Sequence, residues 1–228
     1  YTLFQDVLKQ VLSYVGIIQD SAQSIATIDC LLTFAQLAEK NKYVQPGLLD
    51  SGNIEITDGR HPVVEKLLSD KPFVPNNVIL EDNHQLLLIT GPNMAGKSVF
   101  IRQVALIVLM AQIGSFVPAK EAHLSIVDRI FVRSGASDVI TSGLSTFMVE
   151  MVETAHILHH ATQKSLIVMD EIGRGTSTYD GISIAWAVAE HLVTCAHPPK
   201  TLFATHYHEL QVLEEKHPHK IHNYHMEI

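Results

Sequence analysis

Apolar residues recur at two different periods along the chain, and the change between them divides it. Phe4, Val7, Leu8, Val11, Leu12, Val15 and Ile18 fall at helical spacing over residues 3–19. Ile25, Ile28, Leu31, Leu32, Ala35 and Ala38 repeat that spacing over 22–39. Together they predict a helical hairpin or the ends of two long helices, stopped by Asn41 and Pro46. The polar stretch from Pro46 to Gly52 predicts a boundary between a helical segment, 1–49, and a larger domain, 50–228. Residues 53–57 and 77–80 then read as strands, with a turn at Asp58-Gly59-Arg60-His61-Pro62. From there strands and helices alternate: strand 85–90, helix 97–113, strand 128–133, helix 146–161, strand 165–169, helix 181–195 and strand 200–204. That alternation predicts an α/β fold whose mostly parallel sheet is covered by helices on both faces. Leu166-Ile167-Val168-Met169 is apolar without alternation, as a central strand of such a sheet requires.

Composition narrows the class. With 46% hydrophobic and 18% charged residues the chain has an ordinary globular make-up, and no apolar run reaches membrane-spanning length. No membrane partner is therefore expected. Tyr1 opens no signal-peptide pattern and no initiator Met is present, so a piece of a larger protein is expected. The net charge of −8 argues against a broad nucleic-acid grip on this chain. Cys30 and Cys195 stand in no metal or redox spacing and read as free thiols in a reducing compartment. Fourteen histidines are many, and His206-x-His208, His217-x-His219 and His222-x-x-His225 raise the question of a metal. No Cys joins them, and Lys, Pro and Asn surround several, so solvent-exposed histidines are expected there.

Five motifs carry chemistry. Gly91-Pro92-Asn93-Met94-Ala95-Gly96-Lys97-Ser98 follows an apolar strand and precedes an apolar helical pattern, matching G-x-x-x-x-G-K-[ST]. Its glycines let backbone N–H groups turn inward around a polyphosphate, and the positive end of the helix points at the anion. Lys97 offers a charge to the outer phosphates and Ser98 a hydroxyl to Mg²⁺. Asp170-Glu171 ends the apolar strand, where doubly wound sheets place ligands. Asp170 is expected to hold Mg²⁺. Glu171, pointing to the opposite side of the strand end, is expected to polarise an attacking water as general base. One carboxylate for metal and one for water is a hydrolase arrangement. His206 follows the strand 200–204 and is placed to sense a terminal phosphate or hold the water. Ser145 or Thr146 is a natural N-cap for a helix whose stripe Met148, Met151, Val152, Ala155 and Leu158 should be buried; a Ser there is either an ordinary cap or a phosphate ligand. The loop from Gly173 to Gly181 follows the acids and should touch whatever faces the nucleotide, unless it is only a connector.

GPNMAGKS, STFMVEM, MDEIGRGTSTYDG and FATHYHEL, in this order and spacing, resemble the ATPase domain of the MutS family of DNA mismatch-repair proteins. The upstream DGRHPVVE fits too, and the likeness covers about residues 50–228. The helical start, through LAEKNKYVQP, is similar to the end of that family's lever and core region. STFMVEM and GASD resemble the bacterial-type branch.

The resemblance implies an ABC-type P-loop ATPase in which two domains meet face to face and each ATP lies between them. It implies that residues 91–98 bind the phosphates and that Asn93 approaches the γ-phosphate. It further implies that Phe73, with Val74 beside it, stacks on adenine, that Ser145 reaches the partner's ATP, and that His206 acts as a switch. Implied with these are Mg²⁺, ATP as substrate, a homodimer, mismatched double-stranded DNA held by domains outside this chain, a downstream partner of the MutL type and a cytoplasmic, nucleoid-associated setting. Three positions depart from the family's pattern: Val99 replaces a common Thr, Ala95 a Gly, and Val139 a frequent second acid. None is expected to abolish ATP binding, and Val99 removes one hydroxyl contact worth about 1 kcal/mol. Two alternatives stand beside the competent enzyme: a nucleotide-gated dimer switch with little turnover, and another DNA-linked ABC ATPase of the structural-maintenance or recombination-inhibiting kind.

Overall fold

The computed structural model describes residues 1–68, 72–134 and 146–227. The chain forms two compact units, Tyr1–Tyr43 and Val44–Ile228.

The first unit is helical: α1 (Thr2–Leu12) and α2 (Val15–Asn41). The break between the two helical stretches lies at Ser13 and Tyr14 rather than near residue 20. Ser21, Ser24 and Thr27 donate their hydroxyls to the carbonyls of Ile17, Asp20 and Gln23, at 2.8, 2.9 and 2.9 Å. Bonded within the helix, they do not end it. The irregular turn is at Ser13 and Tyr14, whose N–H groups still bond Gln10 and Val11. α2 stops where Lys42 turns left-handed.

The second unit begins six residues before the expected boundary. Gly47–Leu49, read as linker, is a strand, β1, and joins β2 (Ile54–Gly59), β3 (Asn76–Leu80) and β5 (Glu121–Ser125) in a four-stranded sheet of order β1-β5-β2-β3. Only the β1–β5 pair in it is parallel. A short helix, α3 (Val64–Leu67), lies between β2 and β3. The other sheet has five strands, all parallel: β4 (Leu86–Thr90), β6 (Ile130–Arg133), β7 (Leu166–Asp170), β8 (Lys200–Ala204) and β9 (Ile221–His225), in order β6-β7-β8-β4-β9. The α/β class and the parallel sheet are as expected; the separate, mostly antiparallel sheet is a correction to the picture of one sheet.

Helices α4 (Lys97–Gln112), α5 (Thr146–His160), α6 (Thr178–Thr194) and α7 (Val212–Lys216) complete the unit. Two cores result. Leu87, Ile89, Leu166, Val168 and Leu202 face α4 and the antiparallel sheet. Leu86, Leu88, Ile167, Met169 and Phe203 face the α6 side with Ala185, Ala189 and Leu192. Every strand residue from 86 to 90 and from 166 to 170 is buried, which explains the unbroken apolar runs. Each such leucine or isoleucine contributes about 1.5–3 kcal/mol by its burial, so the central strands are gripped from both faces. β2 instead alternates, with Ile54 and Ile56 buried and Thr57 exposed, because only one face of its sheet meets the core.

On α5 the expected stripe holds only at Met151 and Leu158, which pack half-buried against the α6-side core. Met148 and Val152 are about half exposed, Ala155 is exposed, and the buried residues are Glu150, Thr154 and Ile157. Two polar residues thus lie inward, and the partners of Glu150 supply the physical reason below.

Candidate active site at the carboxyl ends of the parallel strands

The register of the sheet brings three strand ends together. Asp170 of β7 pairs with Ala204 of β8, which pairs with Ile89 of β4 on its other side. Beyond these pairs, Glu171 N–H donates to Ala204 O at 2.9 Å and Thr205 N–H to Ile89 O at 3.0 Å. The glycine-rich loop, Asp170-Glu171 and His206 therefore leave the sheet side by side.

The loop 91–98 joins β4 to α4 with left-handed backbone at Gly91, Met94 and Gly96. Gly91 is obligatory: a Cβ there would lie 2.9 Å from Met226 O, on the segment just past β9. Lys97 opens α4 and is 4% exposed, and its ammonium donates to Gly91 O at 2.8 Å and Pro92 O at 3.0 Å. Both partners are neutral, and the carboxylate of Glu171 is 4.0 Å away. A buried cation held mainly by neutral carbonyls suits a phosphate oxygen. Pro92, Asn93 and Met94 stand exposed at the loop's outer rim, with Ala95 and Gly96 half-buried behind them.

Ser98 donates its hydroxyl to Asp170 Oδ1 at 2.9 Å, and Arg102 reaches Asp170 Oδ2 at 3.1 Å. Ser98 and Asp170 form a pair of hard oxygen donors of the type Mg²⁺ takes. Strand alternation predicts that Glu171 points away from Asp170. Its left-handed backbone (φ 57°) ends the alternation, at a cost of about 1–2 kcal/mol for a residue with a Cβ. Both carboxylates consequently reach the start of α4, Asp170 at Ser98 and Glu171 near Lys97. Glu171 is held on its other oxygen by Arg174 at 2.5 Å.

His206 is half-buried, and its Nδ1 is buried with no hydrogen-bond partner. Burial lowers its pKa below the ordinary imidazole value, and the positive charges of Arg174 and Lys97 act in the same direction. Its ring lies 4.0 Å from that of Tyr207. A neutral imidazole with one unengaged nitrogen can orient a water or a phosphate oxygen.

Lys97, Ser98, Asp170, Glu171 and His206 are thus brought together. Phe73 and Val74 precede β3 of the antiparallel sheet; Phe73 is half-buried and Val74 75% exposed. Ser145, with Asp138 and Val139, lies outside the described residues. Arg102 carried no motif, and Tyr207 stands in FATHYHEL without an assigned role. Arg102 was findable, because four positions separate it from Ser98 and both must share one face of α4. Of the histidines near the end of the chain, His197, His208, His219 and His225 are exposed as expected, while His217 and His222 are half-buried beside glutamates and the His222 ring lies tilted against that of His84, with centroids 3.9 Å apart. Among the described residues no three His, Cys, Asp or Glu side chains are grouped as a metal site, and no helix is long and apolar enough to cross a membrane.

Residues 87–228 match the family model for MutS domain V. The chain is 57% identical over 217 residues to the DNA mismatch repair protein MutS of Desulfitobacterium hafniense, covering 95% of this chain and 25% of that protein. It is 58% identical over 217 residues to the protein of the same name from Acetivibrio thermocellus, again 95% of this chain and 25% of that protein. With the Syntrophobacter fumaroxidans protein of that name the figures are 56% over 228 residues, 99% of this chain and 26% of the relative. The chain therefore spans about a quarter of the length of the curated relatives it matches. The match over domain V, together with a parallel sheet that gathers the family's motif residues at one edge, establishes that this chain belongs to the MutS family.

Proposed function

We propose that residues 44–228 bind and hydrolyse ATP within a DNA mismatch-recognition protein, as an ABC-type P-loop ATPase. Pairing of two such domains around ATP would control the DNA-bound state. The observation that carries this reading is the convergence of Lys97, Ser98, Asp170, Glu171 and His206 at adjacent strand ends. Residues 91–98 cradle the phosphates with backbone N–H groups, and Lys97 moves from its two carbonyls to the outer phosphate oxygens. Ser98 and Asp170 would hold Mg²⁺, which offsets phosphate charge when bound. Arg102 leaves Asp170 to make room. Glu171, released by Arg174, takes a proton from water as that water attacks the terminal phosphorus and the bond to the ADP oxygen breaks. His206, neutral, holds the water or the departing phosphate. Phe73 and Val74 line the adenine, and Asn93 approaches the terminal phosphate.

Ser145 of a second copy completes the site on this reading, since α5 begins at the next residue. Residues 1–49 are read as the end of a helical lever whose remainder lies outside this chain. Mismatched DNA is gripped by other parts of the parent protein, in keeping with the −8 charge here. A MutL-type partner reads the result, and the setting is the bacterial cytoplasm.

One observation favours the switch with little turnover for a lone domain. Glu171 is ion-paired with Arg174, and Lys97 is bonded to its own loop, so neither is free for ATP. Measuring turnover against protein concentration separates the two readings. In the intact protein, Glu171→Gln should retain ATP and lower turnover by about 10²–10⁴-fold, the usual effect of removing a positioned base. Multiple turnover at the wild-type rate removes Glu171 from that role. A rate per chain independent of concentration and unchanged in Ser145→Ala removes the shared site.

A further inference from the structure

We propose that Glu150 and Tyr207 are positioning residues that clamp Gly173 from two sides and thereby set the geometry of Glu171 and His206. The inference rests on the reading of Glu171 and His206 as groups that act on ATP, and it extends that reading to residues none of the motifs assigned. Gly173 is two residues past Glu171 and has left-handed backbone (φ 89°). Its N–H donates to Glu150 Oε1 at 2.5 Å, and its carbonyl accepts the Tyr207 hydroxyl at 3.0 Å. Both faces of one residue's backbone are therefore held by side chains from different elements, α5 on one side and the segment after β8 on the other.

The burial of Glu150 has no packing explanation. It is 6% exposed on a helix whose apolar Met148 and Val152 point outward. Buried carboxylates persist only where they are paired and hydrogen-bonded. The partners are the Gly173 N–H and Arg133 at the end of β6, whose Nη2 lies 3.7 Å from Glu150 Oε2. Arg133 is itself 6% exposed and also lies 3.0 Å from Glu153. Replacing the acid by an apolar residue would fill the space but leave the Gly173 N–H without its acceptor.

Tyr207 is 5% exposed; its N–H bonds Thr205 Oγ1 at 3.0 Å, and its ring packs on that of His206. Its hydroxyl reaches Gly173 only because position 181 is glycine: a Cβ there would overlap both that hydroxyl and the Gly173 carbonyl. The segment so held carries Glu171 at one end and its counter-ion Arg174 at the other. α5, the acid loop and the segment carrying His206 are consequently joined through a single residue, Gly173.

The test uses the intact protein with Glu150→Gln, Tyr207→Phe, Glu171→Gln and, as a control for repacking of α5, Thr154→Val. Four quantities are read: ATP turnover, affinity for a fluorescent ATP analogue, thermal midpoint, and amide exchange of the peptide spanning 171–176. Glu150→Gln and Tyr207→Phe should each lower kcat by about tenfold or more, as expected for a modestly misplaced catalytic group. Affinity should hold within about twofold, while exchange in 171–176 rises by a similar factor of about ten. Thr154→Val should leave all four near wild type. Faster exchange without loss of kcat overturns the positioning role, as does loss of kcat with unchanged exchange or an equal loss in Thr154→Val. If Glu171→Gln itself turns over normally, the assignment of the base fails and this inference with it. If Glu171→Gln is inactive while both clamp variants keep wild-type kcat, only the clamp fails.

Discussion

The two ends of the parallel sheet carry similar inventories of charged and hydroxyl side chains and use them differently. At the amino end, Asp128 accepts from Thr162 Oγ1 at 2.7 Å and Ser165 Oγ at 2.8 Å, and the buried Lys200 reaches Asp82 at 3.0 Å. Asp82, Asp128, Ser165 and Lys200 line a cleft of about 510 Å³ with Ile126 and Lys164. At the carboxyl end, Asp170 and Glu171 are countered by arginines about half exposed, Lys97 makes do with carbonyls, and His206 Nδ1 is unengaged. That cleft thus sits where Asp128 and Lys200 are already paired. The reactive inventory sits where partners are long, exposed and exchangeable. The state of the hydrogen bonds separates the two ends.

That contrast can be broken by substitution. The largest effect is expected for Lys97→Ala, which removes a charge-assisted contact of about 1.5–3 kcal/mol and should weaken ATP binding about 10–100-fold in equilibrium titrations. Unchanged affinity would mean that the carboxyl end does not hold the phosphates. At the other end, Asp128→Ala strips an acceptor from the buried Ser165 hydroxyl and should cost about 1–2 kcal/mol in urea melts, with ATP affinity untouched. A loss of affinity there would show that the two ends are not independent.

The smallest effect is a pH dependence with opposite counterparts at the two ends. His206 has a folded pKa below its ordinary value of 6.5, so the fold favours its neutral form. Its stability contribution is present above about pH 6.5 and is lost as pH falls through the lower folded value. Asp128 is also lowered from its ordinary value: burial opposes this, but the Thr162 and Ser165 hydroxyls and Arg129 together outweigh it. Its contribution is lost only in the acid range, below the ordinary carboxylate value of 3.8. Ring proton shifts of His206 followed from pH 8 to 5, beside melting curves of wild type and His206→Gln, check this at about the scale of a single titrating group. A midpoint for His206 at or above 6.5 reverses the assignment.

Most of the parallel sheet and the central residues of the site were legible because each rests on local rules. Unbroken apolar runs mark strands buried on both faces, and the glycine pattern before Lys97-Ser98 marks a turn from strand to helix. The misses share a different cause. β1 and β5 are three and five residues long and acquire their identity only by pairing with each other and with β2. The inward place of Glu150 on α5 is not legible from local spacing, because its partners Arg133 and Gly173 lie seventeen residues before it and twenty-three after. Glu171 was expected to point away from Asp170, and a left-handed backbone held by the following loop turned it back toward α4.

Local chemistry written in the chain determined its class: a glycine-rich loop before Lys97-Ser98, a strand ending in two acids and a histidine after the next strand, in an order that places the chain in the MutS family. Only the tertiary structure decided which cation holds which acid, that a buried glutamate reaches the acid loop, and that His206 lies within the field of Arg174 and Lys97. The physical reason is range. Backbone conformation and hydrophobic burial follow from neighbours a few residues apart, whereas the state of a charge follows from whatever the fold places within a few ångströms of it.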